Sequence, residues 1–92
     1  MPSVRIPTPL RTYTSGKAEI ALRGQTVAEV MDDLMKTYPA LRPHLYSNAG
    51  ELRPFVNLFV GEDDIRELKG LETPLKESDR LMLLPSIAGG RK

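Results

Sequence analysis

The 92-residue sequence contains no cysteine and a single histidine, His44. The first absence excludes disulfides, thiolate metal sites and a thiol nucleophile. The second leaves a zinc centre or a histidine-based catalytic set short of ligands, since both need converging imidazole or thiolate groups. A charge excess of either sign is also missing: 13 Lys and Arg face 12 Asp and Glu, for a formal net charge of +1. Nonspecific nucleic-acid binding relies on a basic surface that displaces counterions, so it is not expected as the main role. Long apolar runs are absent too. The opening MPSVRIPTPLRTYTSGK lacks the apolar core of a signal peptide, and nothing approaches the roughly 20 residues of a membrane span. The expected setting is cytoplasmic, with neither nucleic acid nor membrane as partner.

What is present reads as one small domain, since a chain of this size can bury about 60–65% of its unfolded surface around a modest core. SVRIPTP alternates through Val4 and Ile6 like a strand with one buried face, and Pro7 and Pro9 fall at its end or at an edge. TYTSGK supplies turn residues, with Gly16 at the bend, and KAEIAL alternates again through Ala18, Ile20 and Leu22, which predicts a hairpin. After Gly24 the period becomes helical. Val27, Val30, Met31 and Leu34 share a face with Tyr38 one turn further on. Thr26 and Glu29 make a T-x-x-E capping box, and Pro39 ends the helix. Residues 40–54 read as irregular with one short helical turn, Leu41 and Leu45 tucking under the sheet. FVNLFV is the strongest strand signal. Gly61 to Asp64 turns the chain, Ile65 opens a short charged edge strand, TPLKESD reads as a turn of helix, and RLMLLP is the final strand. The order β-β-α-β-(β)-β predicts an α+β fold, a mixed four- to five-stranded sheet over one helix. Val4, Ile6, Ile20, Leu22, Val56, Leu58, Leu81 and Leu83 face that helix.

One helix covers one face. The other face receives Phe55, Asn57 and Phe59 from the third strand and Met82 and Leu84 from the last. Unless residues 40–54 fold over them, Phe59, Met82 and Leu84 form an apolar patch beside the strand that enters the tail. Ile87 continues the patch on the tail itself, and Arg80 and Arg53 flank it. Contiguous exposed apolar groups mark interaction sites. Phe59, Met82, Leu84 and Ile87 are therefore candidate partner-docking residues.

The chain closes with PSIAGGRK. Pro85 stops the strand and small residues trail out to Gly89 and Gly90. Without a Cβ, glycine accepts most backbone angles and can pass a narrow channel. The element order, the LMLLPSIAGG ending and the lack of a catalytic set resemble the ubiquitin-like sulfur carriers of the ThiS/MoaD type, over essentially the whole chain. VRIPTPLR, RPFVNLFV, DDIR, GLETPL and SDRLMLLPSIAGG resemble in particular the CysO-type carriers of cysteine synthesis. The resemblance implies a β-grasp domain over 1–85 and a flexible tail over 86–92. It also implies a protein cosubstrate and not an enzyme. The carboxylate of Gly90, given access by Gly89, would attack the α-phosphate of ATP on an adenylating, sulfur-transferring enzyme. The acyl-adenylate would take up sulfur as a thiocarboxylate. The sulfur then passes to a biosynthetic enzyme, in the cysteine pathway a pyridoxal-phosphate (PLP) enzyme, and a zinc metalloprotease frees the product. ATP, PLP and zinc belong to these partners; no cofactor or metal is expected on this chain.

The sequence departs from that pattern after Gly90. Carriers of this type end at the second glycine, whereas here Gly90 is held in a peptide bond to Arg91. An amide cannot be adenylated as a carboxylate can. The expectation is cleavage between Gly90 and Arg91 by a metalloprotease, and loss of Arg91 and Lys92 turns the net charge from +1 to −1. Three rival readings stay open: an inert binding module that keeps the dipeptide, a covalent modifier joined through Gly90 to lysines, and the small subunit of molybdopterin synthase. Among other candidates, His44 reads as a loop residue and Asp32-Asp33 as a solvated helix face. Glu62, Asp63 and Asp64 read as turn residues, because consecutive acids do not converge on a metal as alternating ones do.

Overall fold

The computed structural model describes residues 1–53 and 56–85. Its strands are β1 (Ser3–Arg5), β2 (Glu19–Ala21), β3 (Val56–Val60), β4 (Asp63–Asp64) and β5 (Arg80–Pro85); its helices are α1 (Val27–Thr37) and the short α2 (Arg42–Leu45). They form a sheet in the order β2-β1-β5-β3-β4. β1 pairs antiparallel with β2 and parallel with β5, and β3 pairs antiparallel with both β5 and β4. A parallel pair cannot be joined by a tight turn, so the chain between β2 and β5 must cross the sheet, and α1 lies on that crossing. The arrangement is the α+β, ubiquitin-like β-grasp.

Helix α1 forms where its side-chain period and its caps agree. The backbone N–H of Glu29 donates to Thr26 Oγ1 at 3.2 Å, and Glu29 Oε1 accepts from the N–H of Gln25, one residue before the cap, at 2.8 Å. Val27, Val30, Met31, Leu34 and Met35 are buried. Just upstream, Gly24 has φ +150°, and a Cβ there would lie 2.7 Å from the backbone N of Val30. The strand-to-helix connection thus presses on the first turn of α1 at a position open only to glycine. Residues 73–75 run alongside: Val27 N–H donates to Thr73 O at 3.0 Å and Leu75 N–H to Gln25 O at 2.8 Å. All eight residues predicted to face the helix are buried, and Leu41 and Leu45 join them.

Three local readings are corrected. The β1–β2 connection is not a plain turn. A 3-10 helix spans Thr8–Tyr13, with Leu10 buried, before Gly16 bends the chain at φ +82°. Pro7 and Pro9 start that helix with their fixed φ, which is why prolines follow a strand that lies inside the sheet. The edge strand does not begin at Ile65. Gly61, at φ +63°, and Glu62 make a two-residue hairpin turn, Asp63 and Asp64 are β4, and Ile65–Glu67 is a 3-10 helix. Glycine at the first central position suits such a turn. Asp64 then caps the helix by accepting the N–H of Arg66 at 2.9 Å, while Ile65 plugs the core. Finally, TPLKESD holds no helix. Thr73 to Leu75 is drawn out beside the start of α1, with Pro74 bridged to Thr26. Lys76 and Asp79 close a turn, with Lys76 N–H donating to Asp79 Oδ2 at 2.8 Å. The 3-10 helix of this region lies earlier, at Gly70–Glu72.

Candidate interaction face

Strand register decides what the uncovered face presents. Met82 of β5 stands opposite Phe59 of β3 on one side and Arg5 of β1 on the other. Arg5 in turn opposes Glu19, and Phe59 opposes Asp64. One row therefore runs Glu19, Arg5, Met82, Phe59, Asp64 across all five strands, about 19 Å at the usual strand spacing. The next row toward the tail holds Leu84 opposite Asn57, and the row on the other side pairs Arg80 with Ser3. Leu84 is 41% exposed, against 1% for its neighbour Leu83. Phe59 and Met82 are half-buried. Among the described residues, the segment after α1 does not cover them, because its Leu41 and Leu45 are spent in the core.

Polar clusters bracket the apolar centre. At the β4 end, Arg66 Nη2 lies 2.7 Å from Asp64 Oδ2 and donates to Asn57 Oδ1 at 2.6 Å, and its Nε donates to Asp64 Oδ1 at 3.1 Å. The side-chain hydrogen bond from Arg66, then its backbone N–H, hold the Asp64 carboxyl below the ordinary 3.8. At the β2 end, Glu19 Oε2 accepts from Ser3 Oγ at 2.9 Å and forms an ion pair with Arg80, whose Nε lies 3.4 Å away. Arg80 therefore flanks the patch as its sequence position suggested. Arg53 instead donates its Nε–H to Pro43 O at 3.0 Å, and it lines a notch of about 170 Å³ with Leu52, Val56, Leu58, Ile65 and the Asp64–Arg66 pair.

Elsewhere, exposed His44 stacks on Tyr13 with ring centroids 4.2 Å apart. Asp33 Oδ2 accepts the N–H of Arg23 at 2.9 Å, so one acid of the helix pair has a structural task. Burial, then the charge of Asp32, raises the Tyr46 hydroxyl above its usual 10.0. Among the described residues, no three His, Cys, Asp or Glu side chains gather in a metal-holding group, and no helix is long and apolar enough to cross a membrane. Ile87, Gly89, Gly90 and Arg91, and Phe55, which strand alternation alone assigned to this face, lie outside the described residues. The Arg66–Asp64–Asn57 cluster was not foreseen, because reading Ile65 onward as a strand sends Arg66 along an extended chain instead of back over Asp64. Arg5 was within reach of the same alternation that placed Val4 and Ile6 inside.

The sequence matches the ThiS family over residues 4–90. It is 37% identical over 90 residues to the sulfur carrier protein CysO of Mycobacterium tuberculosis, covering 96% of this chain and 97% of that one. The fold superposes on a chain in the Amycolatopsis orientalis BexX/CysO complex with a TM-score of 0.86 and 37% identity, covering 98% of this chain and 100% of the other. It also superposes on the small archaeal modifier protein 1 of Methanosarcina acetivorans with a TM-score of 0.85 and 34% identity, covering 97% and 95% of the two chains. Sequence and fold agree, and the chain belongs to the ThiS family.

Proposed function

We propose that the chain is a sulfur carrier whose working group is the main-chain carboxyl of Gly90. The observation that carries this reading is the extent of the family match. It runs through Gly89 and Gly90 and leaves out Arg91 and Lys92. A reactive terminus also fits a chain with no cysteine to act as nucleophile. Cleavage of the Gly90–Arg91 bond frees the carboxylate. One carboxylate oxygen then attacks the α-phosphate of ATP on an adenylating enzyme, and pyrophosphate leaves. Sulfide attacks the acyl carbon of the mixed anhydride, AMP departs, and Gly90 carries a thiocarboxylate. A biosynthetic enzyme takes that sulfur, with synthesis of cysteine or a related metabolite favoured by the likeness to CysO. Phe59, Met82 and Leu84 dock the partner while the tail, with Ile87, reaches its nucleotide site.

The test compares two forms of the protein with the host's adenylating enzyme. The chain ending at Gly90 should support ATP–pyrophosphate exchange, and with sulfide should gain the mass of one oxygen-to-sulfur exchange. The chain retaining Arg91 and Lys92 should do neither until a metalloprotease trims it. Equal exchange by both forms would refute the masked-terminus reading. The likeness to an archaeal modifier protein favours a second reading, in which the same activated Gly90 is joined to lysines of other proteins. Gly-Gly remnants on target lysines, with no thiocarboxylate found, would select it.

A further inference from the structure

Among the described residues, three arginines stand on or against the strands of the open face, and two of them are engaged. Arg66 is tied to Asp64 and Asn57. Arg80 meets Glu19. The third, Arg5, stands directly opposite Glu19 across the β1–β2 pair, the position in which an ion pair would ordinarily form. Glu19 instead leans one row along the sheet, where Ser3 and Arg80 share its Oε2. Arg5 is exposed and, among the described residues, has no ion-pair or hydrogen-bond partner for its guanidinium. It stands beside Met82, one strand from the apolar centre, and Met82 precedes Leu84 on the strand that runs toward the tail.

We propose that Arg5 is a specificity-determining residue of the docking face, and that the partner is a protein presenting a carboxylate to Arg5 beside an apolar surface that covers Phe59, Met82 and Leu84. The inference rests on the carrier reading above and adds the chemistry of the partner's surface. Charge complementarity carries it. The two rim clusters are internally neutralised, so among the described strand residues of this face Arg5 is the cation left unspent, and a planar guanidinium is suited to bidentate pairing with a carboxylate. The placement also gives the face a direction. Leu84 lies toward the C-terminal end of β5, and Arg5 lies one row back from it and one strand across, in the row of Met82 and Phe59. A partner matched to both seats the carrier with its tail pointing into the nucleotide site and not away from it. Electrostatic pairing of this kind acts on encounter and orientation more than on raw affinity.

The experiment uses the chain ending at Gly90, the host's adenylating enzyme and ATP–pyrophosphate exchange. Arg5→Gln removes the charge and keeps a polar, hydrogen-bonding side chain. Its kcat/KM should fall about tenfold at low salt, and the deficit should shrink as ionic strength rises, because screening weakens the lost attraction. Arg5→Lys should recover part of the activity. Lys36→Gln removes the same charge from α1, on the other side of the molecule, and should change kcat/KM by less than about twofold. Urea midpoints equal to that of the unsubstituted chain separate a recognition effect from misfolding. If Arg5→Gln behaves like Lys36→Gln at low salt, the inference is overturned while the carrier reading stands. If the unsubstituted Gly90 form gives no exchange at all, the carrier reading falls and takes this inference with it. If Arg5→Gln instead abolishes a dimer of the free chain and leaves exchange intact, the face belongs to a second copy and the proposal is wrong.

Discussion

The two faces of the sheet are built from the same strands and do opposite things. Moving one residue along β5, from Leu83 to Leu84, takes exposure from 1% to 41%. Side chains alternate strictly in a strand, so every residue that anchors the core has neighbours committed to the other side. On the helix side the neighbours are Val4, Leu58, Leu81 and Leu83, closed over by α1, Leu41 and Leu45. On the open side they are Arg5, Phe59, Met82 and Leu84, with charged clusters at each end of the row. The difference teaches that apolar content alone does not mark a core. Phe59 and Met82 are as apolar as their buried neighbours, but no second layer covers them among the described residues.

That contrast can be broken or sharpened by substitution. The largest effect is expected on the covered face: Leu81, fully buried between β1 and β3, should lose about 2–5 kcal/mol on Leu81→Ala, read by urea unfolding. For a small domain that is a large share of total stability. Next comes the connection that seats the helix on the sheet. Gly24→Ala places a methyl 2.7 Å from the Val30 backbone at φ +150° and should cost more than about 1 kcal/mol. Thr26→Ala removes the cap that accepts the N–H of Glu29 and should cost about 0.5–2 kcal/mol in the same assay. On the open face the ranking turns over. Leu84→Glu should shift stability by no more than about 0.5 kcal/mol while abolishing adenylation of the Gly90 form, and unchanged adenylation would remove Leu84 from the docking face.

The smallest effect concerns Asp64. Its carboxyl is held below 3.8, so the stabilisation it gives is complete above that unfolded value and is lost as pH falls through the lower folded value. Asp64→Asn retains an oxygen able to cap Arg66 but loses the charge. The two proteins should differ near neutral pH and converge in acid. A constant difference across the range would mean that the Arg66 pairing contributes nothing to stability.

Much of the covered face was legible in the sequence. The helical spacing of Val27, Val30, Met31 and Leu34, the Thr26–Glu29 box and the alternation of Val4, Ile6, Leu81 and Leu83 each encode burial through period alone. The open patch of Phe59, Met82 and Leu84 followed by subtraction, once a single helix was counted. The short elements were harder. A charged run such as DDIRELK has no period long enough to choose strand or 3-10 helix, and a single side-chain cap at Asp64 tipped it. The unforeseen 3-10 helix at Thr8–Tyr13 was hidden for the converse reason, since its prolines read equally well as the end of a strand.

The sequence by itself determined the element order, the inward set and the Gly-Gly tail, because hydrophobic period, capping residues and glycine act within a few residues of chain. Only the tertiary structure decided that Glu19 turns to Arg80 and Ser3, that Arg66 closes on Asp64 and Asn57, and that Arg5 is left without a partner among the described residues. Those outcomes depend on register between strands far apart in the chain, and on several charged groups competing for the same carboxylates, which no local pattern encodes.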